Sequence, residues 1–423
     1  MRIVFSTFGT FGDVNPLIAL ALEMQRRGHR AVLAVPEMFR SKIEPLGIGF
    51  MAVRPDQDQT DKQLVAMIYD KKSGTEYGLR QFLFPALRQS YDDLLAAVEA
   101  DGGADLLVTG ELAYAGPLVA EKTGIPWASY VLAPFSFFSA YDPPVLPPYP
   151  LLARAQSVIP ELGHVVKRFA RHVTRLWPEP VYELRRELGL ERGKNPIFDA
   201  KHAEKLVLAL FSRRLGSPQP DWPSHTITTG FVFYDGDAGH SELPAELEQF
   251  LSAGAPPVVF TLGSAAVLDA GDFYEQSARA AKLLKTRAVL LVGNDPANLP
   301  KTSLTEDISV ARYAPYSKLF PRASVIVHQG GVGTTAQALR AGKPMLVMPY
   351  SHDQPDNARR VQRLGVAKVV QRNHYKAERA AAIVQQLLQE NRFAESAQSI
   401  QREIALENGL KAACDALEIA AQR

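Results

Sequence analysis

Short apolar runs alternate along the chain with longer amphipathic stretches. The run RIVFST (residues 2–7) predicts a buried strand, and the residues after its glycine turn have the apolar spacing of a helix that ends near Gly28. Residues 31–36 form the next predicted strand. A strand, a helix and a strand in this order are typical of a parallel sheet with helices packed on its faces.

The alternation recurs in both halves of the chain and predicts two domains. Residues 217–240 are rich in Pro, Gly and Asp, which indicates a linker. The predicted N-terminal domain is 1–216, the predicted C-terminal domain is 241–389, and residues 390–423 form a terminal helix. Further strands are predicted at residues 105–110, 127–132, 257–264, 287–293, 323–329, 343–349 and 367–371. The chain is therefore predicted to be an α/β protein with two domains, each built on a parallel sheet.

Two segments in the first half of the chain can each be interpreted in two ways. Residues 134–160 are rich in proline and aromatic side chains, so they form either a lid over an apolar ligand or a rigid surface loop. Residues 164–188 form a basic amphipathic helical region around Pro178. This region lies either in solvent or on a membrane surface, as a weak peripheral contact.

Composition narrows the class of protein. The chain has 423 residues, of which 46% are hydrophobic and 22% charged, as in ordinary globular proteins. A net charge of +2 gives no field that favours nucleic acid, so no nucleic-acid partner is expected. Cys414 is the single cysteine, which fits a reducing compartment. With no apolar run near the ~18 residues of a membrane helix and no signal-peptide pattern, a cytoplasmic protein is expected.

The stretch VHQGGVGTTAQAL (residues 327–339) places Gly330, Gly331 and Gly333 between a predicted strand and a predicted helix. Glycines let a ligand approach the backbone closely. Free N–H groups and the positive end of the helix dipole then favour an anion such as phosphate, and the Thr334 hydroxyl can add a donor. The alternative is a tight connection that binds nothing.

Polar residues follow the next predicted strand in HDQPDN (residues 352–357). A carboxylate beside an amide, here Asp353 and Gln354, can hold the vicinal hydroxyls of a sugar. Asn357 lies in the same cluster, although a helix N-cap would also explain one of these residues. Tyr313 precedes the glycine-turn strand, where its ring could stack on a base or lie in the core.

The stretch GTFGDVNP (residues 9–16) repeats the strand, turn and helix pattern near the N-terminus. Asp13 stands at the predicted helix start, where it is either an N-cap or a carboxylate that faces a cleft. In the second case it could accept the proton of an acceptor hydroxyl. Such general-base help is typically worth ~10² to 10⁴ in rate.

Taken together, these residues resemble the UDP-glycosyltransferase superfamily, specifically its bacterial branch that glycosylates sterols and antibiotics. The resemblance covers nearly the full chain and is most specific over residues 313–357. It implies the B-type glycosyltransferase fold, with two Rossmann-like domains that face each other across a cleft. The acceptor would bind the N-terminal domain and the nucleotide sugar the C-terminal domain, while residues 390–423 would return to the N-terminal domain.

The resemblance also assigns roles to residues. Asp13 would be the general base, Tyr313 would stack on the base of the donor, and Asp353 and Gln354 would grip the sugar. No metal and no cofactor are implied, because the nucleotide sugar is a co-substrate. The donor-binding residues by this resemblance are Thr10, Ser264, Tyr313, Ala314, His328, Gln329, Gly331, Gly333, Thr334, Gln337, Asp353, Gln354 and Asn357. Candidate wall residues of the acceptor pocket are Phe11, Phe84, Tyr114, Phe135, Phe137 and Phe138.

Two positions depart from the family pattern. The family usually has His directly before the glycine pair, where this chain has Gln329, with His328 one residue earlier. Neighbours on a strand point in opposite directions, so only one of the two is expected to reach phosphate. Gln337 replaces the Glu that commonly binds the ribose. A neutral amide is a weaker partner for a ribose diol, which leaves room for a deoxyribose donor such as dTDP-rhamnose.

The expected activity is an inverting transfer of glucose or rhamnose from a UDP- or dTDP-sugar. The expected acceptor is a hydroxyl of a lipophilic phenol or flavonoid, a sterol, a polyketide or a hydroxy-fatty acid. The alternatives are a dinucleotide-dependent oxidoreductase and a non-catalytic sugar-nucleotide-binding protein. Against the oxidoreductase, both glycine turns lack a glycine of the G-x-G-x-x-G fingerprint.

Overall fold

The computed structural model describes residues 1–56, 61–149, 152, 155, 156, 159, 161–234 and 242–422. The chain divides into two compact units. The first unit comprises Met1–Asp58, Lys72–Tyr234 and Glu407–Arg423, and the second comprises Gln59–Lys71 and Asp235–Leu406. Each unit is built on a parallel sheet, which confirms the predicted α/β class with two Rossmann-like domains.

The first unit has seven strands in one parallel sheet, in the order β3-β2-β1-β4-β5-β6-β7. The strands are β1 (Arg2–Ser6), β2 (Arg30–Val35), β3 (Gly49–Ala52), β4 (Leu106–Gly110), β5 (Trp127–Val131), β6 (Val207–Ala209) and β7 (Thr226–Thr228). Its helices are α1 (Phe11–Arg26), α2 (Arg40–Ile43), α4 (Gly74–Tyr77), α5 (Leu87–Glu99), α6 (Ala115–Thr123), α7 (Glu161–Val173), α8 (Glu179–Glu187) and α16 (Gly409–Ala421).

The second unit has six strands in a parallel sheet, in the order β10-β9-β8-β11-β12-β13. The strands are β8 (Val258–Thr261), β9 (Ala288–Leu291), β10 (Ile308–Ala311), β11 (Val325–His328), β12 (Met345–Val347) and β13 (Ala367–Val369). Its helices are α3 (Lys62–Ile68), α9 (Ala245–Ser252), α10 (Phe273–Leu284), α11 (Tyr316–Leu319), α12 (Val332–Arg340), α13 (Gln354–Arg363), α14 (Ala377–Gln389) and α15 (Asn391–Ile404).

Both sheets are buried because their central strands are almost wholly apolar. In the first unit, Phe5 of β1 pairs in register with Leu33 of β2 and Val108 of β4, and all three side chains are fully buried. They belong to one core cluster with Leu17 and Met24 of α1. The 3.6-residue spacing of apolar positions in α1 thus covers one face of the sheet, as the sequence pattern predicts.

Each sheet has one place where the strand order reverses. In the first unit this place lies between β1 and β4, and in the second it lies between β8 and β11. Ligands of open α/β sheets bind beyond the carboxyl ends of the strands at such a switch point. The turn after β1 contains Asp13, and the turn after β11 contains the glycines 330, 331 and 333. Both motifs selected from the sequence therefore lie at switch points.

The domain boundaries differ from the predicted ones. The predicted linker 217–240 contains β7, a strand of the first sheet, and residues 235–240 lie outside the described residues. The predicted terminal helix 390–423 is two helices, because Asn408 caps α16 by accepting a hydrogen bond from the Lys411 amide at 3.1 Å. Of the two, α15 belongs to the second unit, while α16 packs on α1 in the first.

The predicted amphipathic region 164–188 is also two helices, α7 and α8, separated by a turn that ends at Pro178. The break agrees with the loss of a backbone donor at proline. Part of the predicted loop 134–160 lies outside the described residues, and its described start is a 3₁₀ turn at Pro134–Phe137. Within the described residues, no helix is long and apolar enough to cross a membrane.

Candidate functional site

The glycine turn of the first unit ends in a capping box at the start of α1. The Thr10 hydroxyl accepts a hydrogen bond from the Gly12 amide at 3.1 Å. The Asp13 carboxylate accepts one from the Thr10 amide at 2.7 Å and one from the Thr10 hydroxyl at 3.2 Å. Gly9 has φ of 137°, and a methyl group there would lie 2.3 Å from Asp13 Oδ2. The turn therefore requires glycine at position 9 and holds Asp13 in one place.

Asp13 has the electrostatics of a base that works near neutral pH. Burial raises its pKa to about 6, while the hydrogen bonds from Thr10 lower it and the charge of Glu111 raises it. The carboxylate is therefore ionised at neutral pH but accepts a proton more readily than an ordinary Asp. A pKa close to the working pH is what a general base needs.

Glu111 lies at the same switch point, directly after β4, and was not predicted. Its carboxylate accepts hydrogen bonds from the Ser136 hydroxyl at 2.6 Å and from the Lys201 ammonium at 2.8 Å. Burial raises the pKa of Glu111, but Lys201 and Ser136 outweigh it, so the net pKa is lowered. His202 beside this pair has its pKa lowered to about 3, mainly by burial. A charged residue directly after a buried strand was the sequence signal for Glu111, whereas Lys201 and His202 gave none.

Two cavities open to solvent in the first unit, near the carboxyl ends of β1 and β4. One is lined by Thr7, Phe8, Leu83, Leu112 and other residues. The other combines apolar side chains with Arg185, Lys194 and Lys201. Tyr114 lines both cavities. The three cations of the second cavity are all ion-paired, with Glu121, Glu204 and Glu111 respectively.

The other candidate acceptor residues lie at separate places in the first unit. Phe84 is buried in the core and packs edge-on against Tyr114, with ring centroids 5.1 Å apart. Phe11 packs on Phe39 at 5.2 Å. Phe137 is buried and stacks on Trp222, with ring centroids 4.2 Å apart. Phe138 packs edge-on against Phe198, with ring centroids 5.3 Å apart. Phe135 is partly buried in the same 3₁₀ turn. Tyr114 is thus the predicted wall residue that the structure places at a cavity, while Phe84 and Phe137 serve mainly as core.

The second unit leaves the start of α12 open. Gly331 is the N-cap residue of α12, and within the described residues no side chain caps this helix. The first N–H groups of the helix are therefore available to a ligand. Gly330 has φ of 90°, which favours glycine, and a methyl group there would lie 2.9 Å from Val347 and 3.1 Å from the Gln354 carbonyl. The turn is built close against the start of α13.

Of the two residues before the glycine pair, Gln329 has its side chain at the turn. A methyl group at Gly263 would lie 2.4 Å from Gln329 Nε2, and one at Gly331 would lie 2.8 Å from it. The amide therefore lies between the loops that follow β8 and β11. His328 is fully buried, and its Nδ1 accepts a hydrogen bond from the Gly330 amide at 3.0 Å. Burial lowers the pKa of His328 to about 3, so its ring is neutral.

Several buried polar atoms around this turn have no hydrogen-bond partner among the described residues: His328 Nε2, Gln329 Oε1, Thr335 Oγ1 and Asn357 Oδ1. A buried polar atom without a partner costs free energy, so such atoms are few in folded proteins. A polar ligand at this uncapped helix start would give such atoms partners.

Thr334 is buried at the first turn of α12. A methyl group at Gly263 would lie 3.3 Å from its Oγ1, so this hydroxyl also faces the β8 loop. The Tyr316 hydroxyl hydrogen-bonds Thr261 at 2.8 Å and also Thr334. The sequence gave no signal for Tyr316 or Thr261, which hold Thr334 in place.

The predicted sugar-gripping residues lie together at the start of α13. The Asn357 amide donates to the Gly330 carbonyl at 3.0 Å and to Asp353 Oδ2 at 2.6 Å. Gln354 Oε1 accepts a hydrogen bond from the Tyr350 amide at 2.9 Å. Asp353 is the N-cap residue of α13, so the helix begins three residues before Asn357 and the carboxylate stands at its positive end. Asn357 therefore links the Asp353 carboxylate to the glycine turn.

The remaining predicted donor residues are spread around this centre. Tyr313 is exposed, and Ala314 beside it is buried. Ser264 is exposed in the turn after β8, next to Gly263. Gln337 is buried one turn into α12, and Gly333 is exposed at its start. The structure brings the glycine turn, Gln329, Thr334 and the Asp353 cluster together, while Thr10 belongs to the first unit.

A segment from early in the chain supports the Asp353 loop. The ring of Tyr69, directly after α3, packs edge-on against His352 at 5.3 Å and Tyr350 at 6.4 Å. The Ser351 hydroxyl donates to the Asp70 carbonyl at 3.3 Å. His352 has φ of 54°, which is unusual for a side chain other than glycine and needs such support. Nothing in the sequence around Tyr69 indicates this contact.

The described residues contain no group of three or more His, Cys, Asp or Glu side chains placed to hold a metal ion. The acidic pairs at positions 56, 58, 235 and 237 fall wholly or partly outside the described residues. The charged groups near the switch points are instead paired with one another or with backbone amides.

Two family models match the chain. Residues 3–137 match the glycosyltransferase family 28 N-terminal domain. Residues 287–411 match the erythromycin biosynthesis protein CIII-like C-terminal domain. The first match contains Asp13 and Glu111, and the second contains the glycine turn and the Asp353 cluster.

Whole-chain relatives agree with these models. The chain is 31% identical to O-mycaminosyltylonolide 6-deoxyallosyltransferase of Streptomyces fradiae, over 99% of this chain and 97% of that protein. The structure of the kitacinnamycin glycotransferase has a TM-score of 0.73 at 21% identity and covers 99% of both chains. The spinosyn rhamnosyltransferase SpnG, complexed with thymidine diphosphate, has a TM-score of 0.69 at 18% identity and covers 99% of this chain and 100% of that one.

The two solved structures establish the fold, which is that of B-type glycosyltransferases. The curated relative extends the similarity over almost the whole sequence at 31% identity. Neither the oxidoreductase alternative nor the non-catalytic one agrees with these matches. The chain therefore belongs to the UDP-glycosyltransferase superfamily, in its antibiotic-glycosylating branch, and is a glycosyltransferase that transfers a sugar to a small-molecule acceptor.

Proposed function

We propose that the protein transfers a hexose, glucose or rhamnose, from a UDP- or dTDP-sugar to a hydroxyl of a lipophilic small molecule, with inversion and with Asp13 as the general base. The observation that carries the proposal is the open start of α12. An uncapped helix N-terminus, four unpartnered buried polar atoms and a carboxylate at the start of α13 lie within one turn region. This set fits a diphosphate joined to a sugar.

The donor diphosphate binds at the start of α12. The N–H groups of Gly333 and Thr334 belong to the first turn of the helix, at the positive end of its dipole. The Gln329 side-chain amide and the Thr334 hydroxyl add further hydrogen-bond donors. Gln329, rather than His328, is the phosphate contact, because its side chain lies between Gly263 and Gly331 while His328 is fully buried.

The sugar of the donor binds at Asp353 and Gln354. The Asp353 carboxylate accepts hydrogen bonds from sugar hydroxyls, and the Gln354 amide nitrogen donates one, because its oxygen is already bonded to the Tyr350 amide. Asn357 fixes Asp353 at 2.6 Å and so orients the carboxylate toward the sugar. Hydrogen bonds to a charged group contribute about 1.5–3 kcal/mol each.

Gln337 favours a thymidine nucleotide over a uridine one. The resemblance places this residue at the ribose, where an amide is a weaker partner for a 2′,3′-diol than a carboxylate is. SpnG, which shares the fold, was solved with thymidine diphosphate. The name of the Streptomyces fradiae relative describes transfer of a 6-deoxyhexose. We therefore place a dTDP-6-deoxyhexose such as dTDP-rhamnose ahead of UDP-glucose as the donor.

The acceptor binds in the first unit. Tyr114 lines two cavities there, with apolar neighbours that include Leu83, Leu112, Leu118 and Val181. Mostly apolar pockets with a few polar groups are typical of sites for lipophilic small molecules. The polyketide, sterol, phenolic and hydroxy-fatty acid classes of acceptor all present a hydroxyl on an apolar body.

The proposed reaction is a single displacement. Asp13 takes the proton of the acceptor hydroxyl, and the hydroxyl oxygen forms a bond to the anomeric carbon. The bond from that carbon to the diphosphate oxygen breaks, and its electron pair leaves with the diphosphate. Fixed N–H donors stabilise the departing charge, which is the main catalytic contribution expected of such a site. One displacement inverts the anomeric centre.

No metal ion or cofactor takes part in the proposed reaction. The charge that a metal would neutralise is met by the helix N-terminus and by neutral donors around the glycine turn. The direct test is turnover in excess chelator, where we expect the wild-type rate. Loss of turnover that returns with a divalent cation would contradict this part of the proposal.

We place the reaction in the cytoplasm, since the single cysteine, Cys414, is a buried free thiol. Cell fractionation followed by immunodetection tests this location. Recovery from an oxidising compartment would contradict it.

The experiment that tests the function is a screen of nucleotide sugars against lipophilic alcohols and phenols, read by mass spectrometry. We expect a product whose mass rises by one hexose or deoxyhexose residue, with dTDP donors used better than UDP donors. Calorimetry with dTDP, UDP and NAD provides the matched binding measurement. Binding of NAD without either diphosphate would contradict the donor assignment, and an anomeric configuration retained from the donor would contradict the single displacement.

A further inference from the structure

Helix α7 carries a row of exposed apolar side chains. Val165, Phe169 and Val173 are 60, 63 and 54% exposed, and Leu176 in the turn that follows is 65% exposed. Their spacing of four, four and three residues puts them in one row along the helix. We call these four residues the outer stripe. A helix on a globular protein normally turns such a row toward the core.

The opposite face of α7 holds the helix to the first unit by polar contacts. Lys167 forms an ion pair with Asp221 at 3.0 Å, and Arg171 forms one with Asp199 at 2.6 Å. Gly163 lies so close to the Ala140 carbonyl that a methyl group there would be 2.0 Å from its oxygen. The orientation of the helix is therefore fixed by these contacts, and the exposure of the outer stripe does not come from a loosely placed helix.

Cationic side chains run along one edge of the outer stripe. Arg168 and Arg175 are exposed, and the Arg175 guanidinium contacts the His172 ring at 3.1 Å. Lys167 and Arg171 are neutralised by their ion pairs, and the acid on this helix, Glu161, lies at its start, two turns from Arg168. The exposed edge beside the stripe is therefore positive where it adjoins Phe169 and Leu176.

From this arrangement we infer that α7 lies on the surface of a bilayer that contains anionic lipids. A helix with an apolar row on one side and basic residues beside it binds in the plane of the interface, with the apolar row among the acyl chains. The basic edge matches anionic headgroups, whose attraction is felt within a Debye length of the surface. The exposed Tyr141 ring, which packs on His164 at 5.3 Å, extends the apolar surface at the start of the helix.

A second copy of the chain fits the stripe less well. A stable protein interface buries about 800 Å² and about 20–30 residues on each partner. The outer stripe is a single row of side chains, one helix wide, and a two-fold contact through it would also bring Arg168 and Arg175 of both copies close together. The inference does not depend on the proposed donor or acceptor, but a protein held at a bilayer would meet acceptors that partition into lipid.

Vesicle sedimentation tests the inference with the full chain. The probes are vesicles of phosphatidylcholine alone and vesicles of phosphatidylcholine with a quarter phosphatidylglycerol. We expect binding to the anionic vesicles that weakens in high salt, and a partition coefficient about tenfold lower for the double variant Phe169→Ser with Val173→Ser. The matched control is Leu406→Ser, which removes an even more exposed apolar side chain, 88% exposed, from the second unit and should bind as the wild type does.

A second pair of variants separates charge from apolar contact and does not depend on the first. Arg168→Glu with Arg175→Glu should lose most binding to the anionic vesicles, and circular dichroism should show an unchanged fold because both side chains are exposed. Sedimentation velocity without lipid reports on the second copy. Equal vesicle binding by the wild type and the Phe169→Ser, Val173→Ser variant would overturn the inference. A dimer that dissociates in that variant would overturn it in favour of self-association.

Discussion

The two glycine turns, residues 9–13 in the first unit and 329–333 in the second, follow the same sequence pattern and end in opposite ways. Both connect a switch-point strand to a helix. In the first unit, Thr10 and Asp13 cap α1 with their own side chains. In the second, α12 follows its N-cap residue Gly331, with no side-chain cap among the described residues. One helix start carries a built-in carboxylate, and the other is open to a bound anion.

This difference separates the two roles that the reaction needs. A carboxylate at an occupied helix start is held rigidly and can accept a proton, but it repels a phosphate. An open helix start attracts the phosphate but provides no base. The proposed roles follow this difference: the first unit would deprotonate the acceptor, and the second would hold the diphosphate of the donor.

The largest effect is expected at Asp13. Asp13→Asn and Asp13→Ala should both lower the rate of sugar transfer by about 10² to 10⁴, because neither side chain can accept the acceptor proton. Only Asp13→Ala should also lose about 1 kcal/mol of stability, because an Asn oxygen still accepts the Thr10 amide hydrogen bond. Initial rates and denaturant unfolding give the two measurements. Near wild-type turnover in Asp13→Asn would reduce Asp13 to a helix cap.

The pH dependence should report the same carboxylate. Because burial raises the pKa of Asp13 to about 6, kcat/KM should fall about tenfold per pH unit below that value, and Asp13→Asn should lack this limb. The contribution of Asp13 to stability has the opposite pH dependence to the rate. The pKa of Asp13 in the folded protein lies above the ordinary value of 3.8, so the contribution of Asp13 to the free energy of unfolding is full below 3.8 and is lost as pH rises through about 6. A wild-type rate profile that is flat from pH 5 to 8 would contradict the assignment.

In the second unit the largest effect is expected at Asp353. Asp353→Ala should lower kcat/KM for the sugar donor by about 10- to 100-fold, since a charged hydrogen bond to a sugar hydroxyl contributes about 1.5–3 kcal/mol. Affinity for the free nucleoside diphosphate should stay close to that of the wild type, because the carboxylate faces the sugar. Kinetics and calorimetry on the same preparation measure both. Unchanged donor kinetics would refute the sugar-gripping role.

Substitution of Gln329 should lower ligand affinity, whereas substitution of His328 should lower stability. Gln329→Ala should weaken binding of the nucleoside diphosphate by about tenfold, because it removes a donor that faces the glycine turn. His328→Ala should instead lower the free energy of unfolding by about 1–3 kcal/mol, because the buried Gly330 amide loses its acceptor. Calorimetry and chemical unfolding distinguish the two variants. The opposite pattern would make His328 the phosphate contact.

Much of this organisation could be predicted from the sequence, and the failures have physical causes. The strands on either side of each switch point are nearly continuous apolar runs, and the two glycine turns follow them directly, so the site positions were visible. Contacts that depend on the tertiary fold could not be predicted from the sequence. Examples are the packing of Tyr69 on His352 and the ion pair of Lys201 with Glu111. Aromatic residue type also does not distinguish a pocket wall from the core, because Phe84 and Phe137, which were candidates for the wall, are buried in the core.

The smallest effect is expected at Thr10, which the resemblance assigns to the donor phosphate. Its amide and hydroxyl both donate to Asp13, and its hydroxyl accepts from Gly12, so its polar groups are already used within the turn. Thr10→Ala should cost about 1 kcal/mol of stability, while Thr10→Ser should cost little. Neither should change the affinity for the nucleoside diphosphate. A tenfold loss of that affinity in Thr10→Ala, restored in Thr10→Ser, would show that the capped turn also binds phosphate, and the contrast between the two helix starts would then be one of degree.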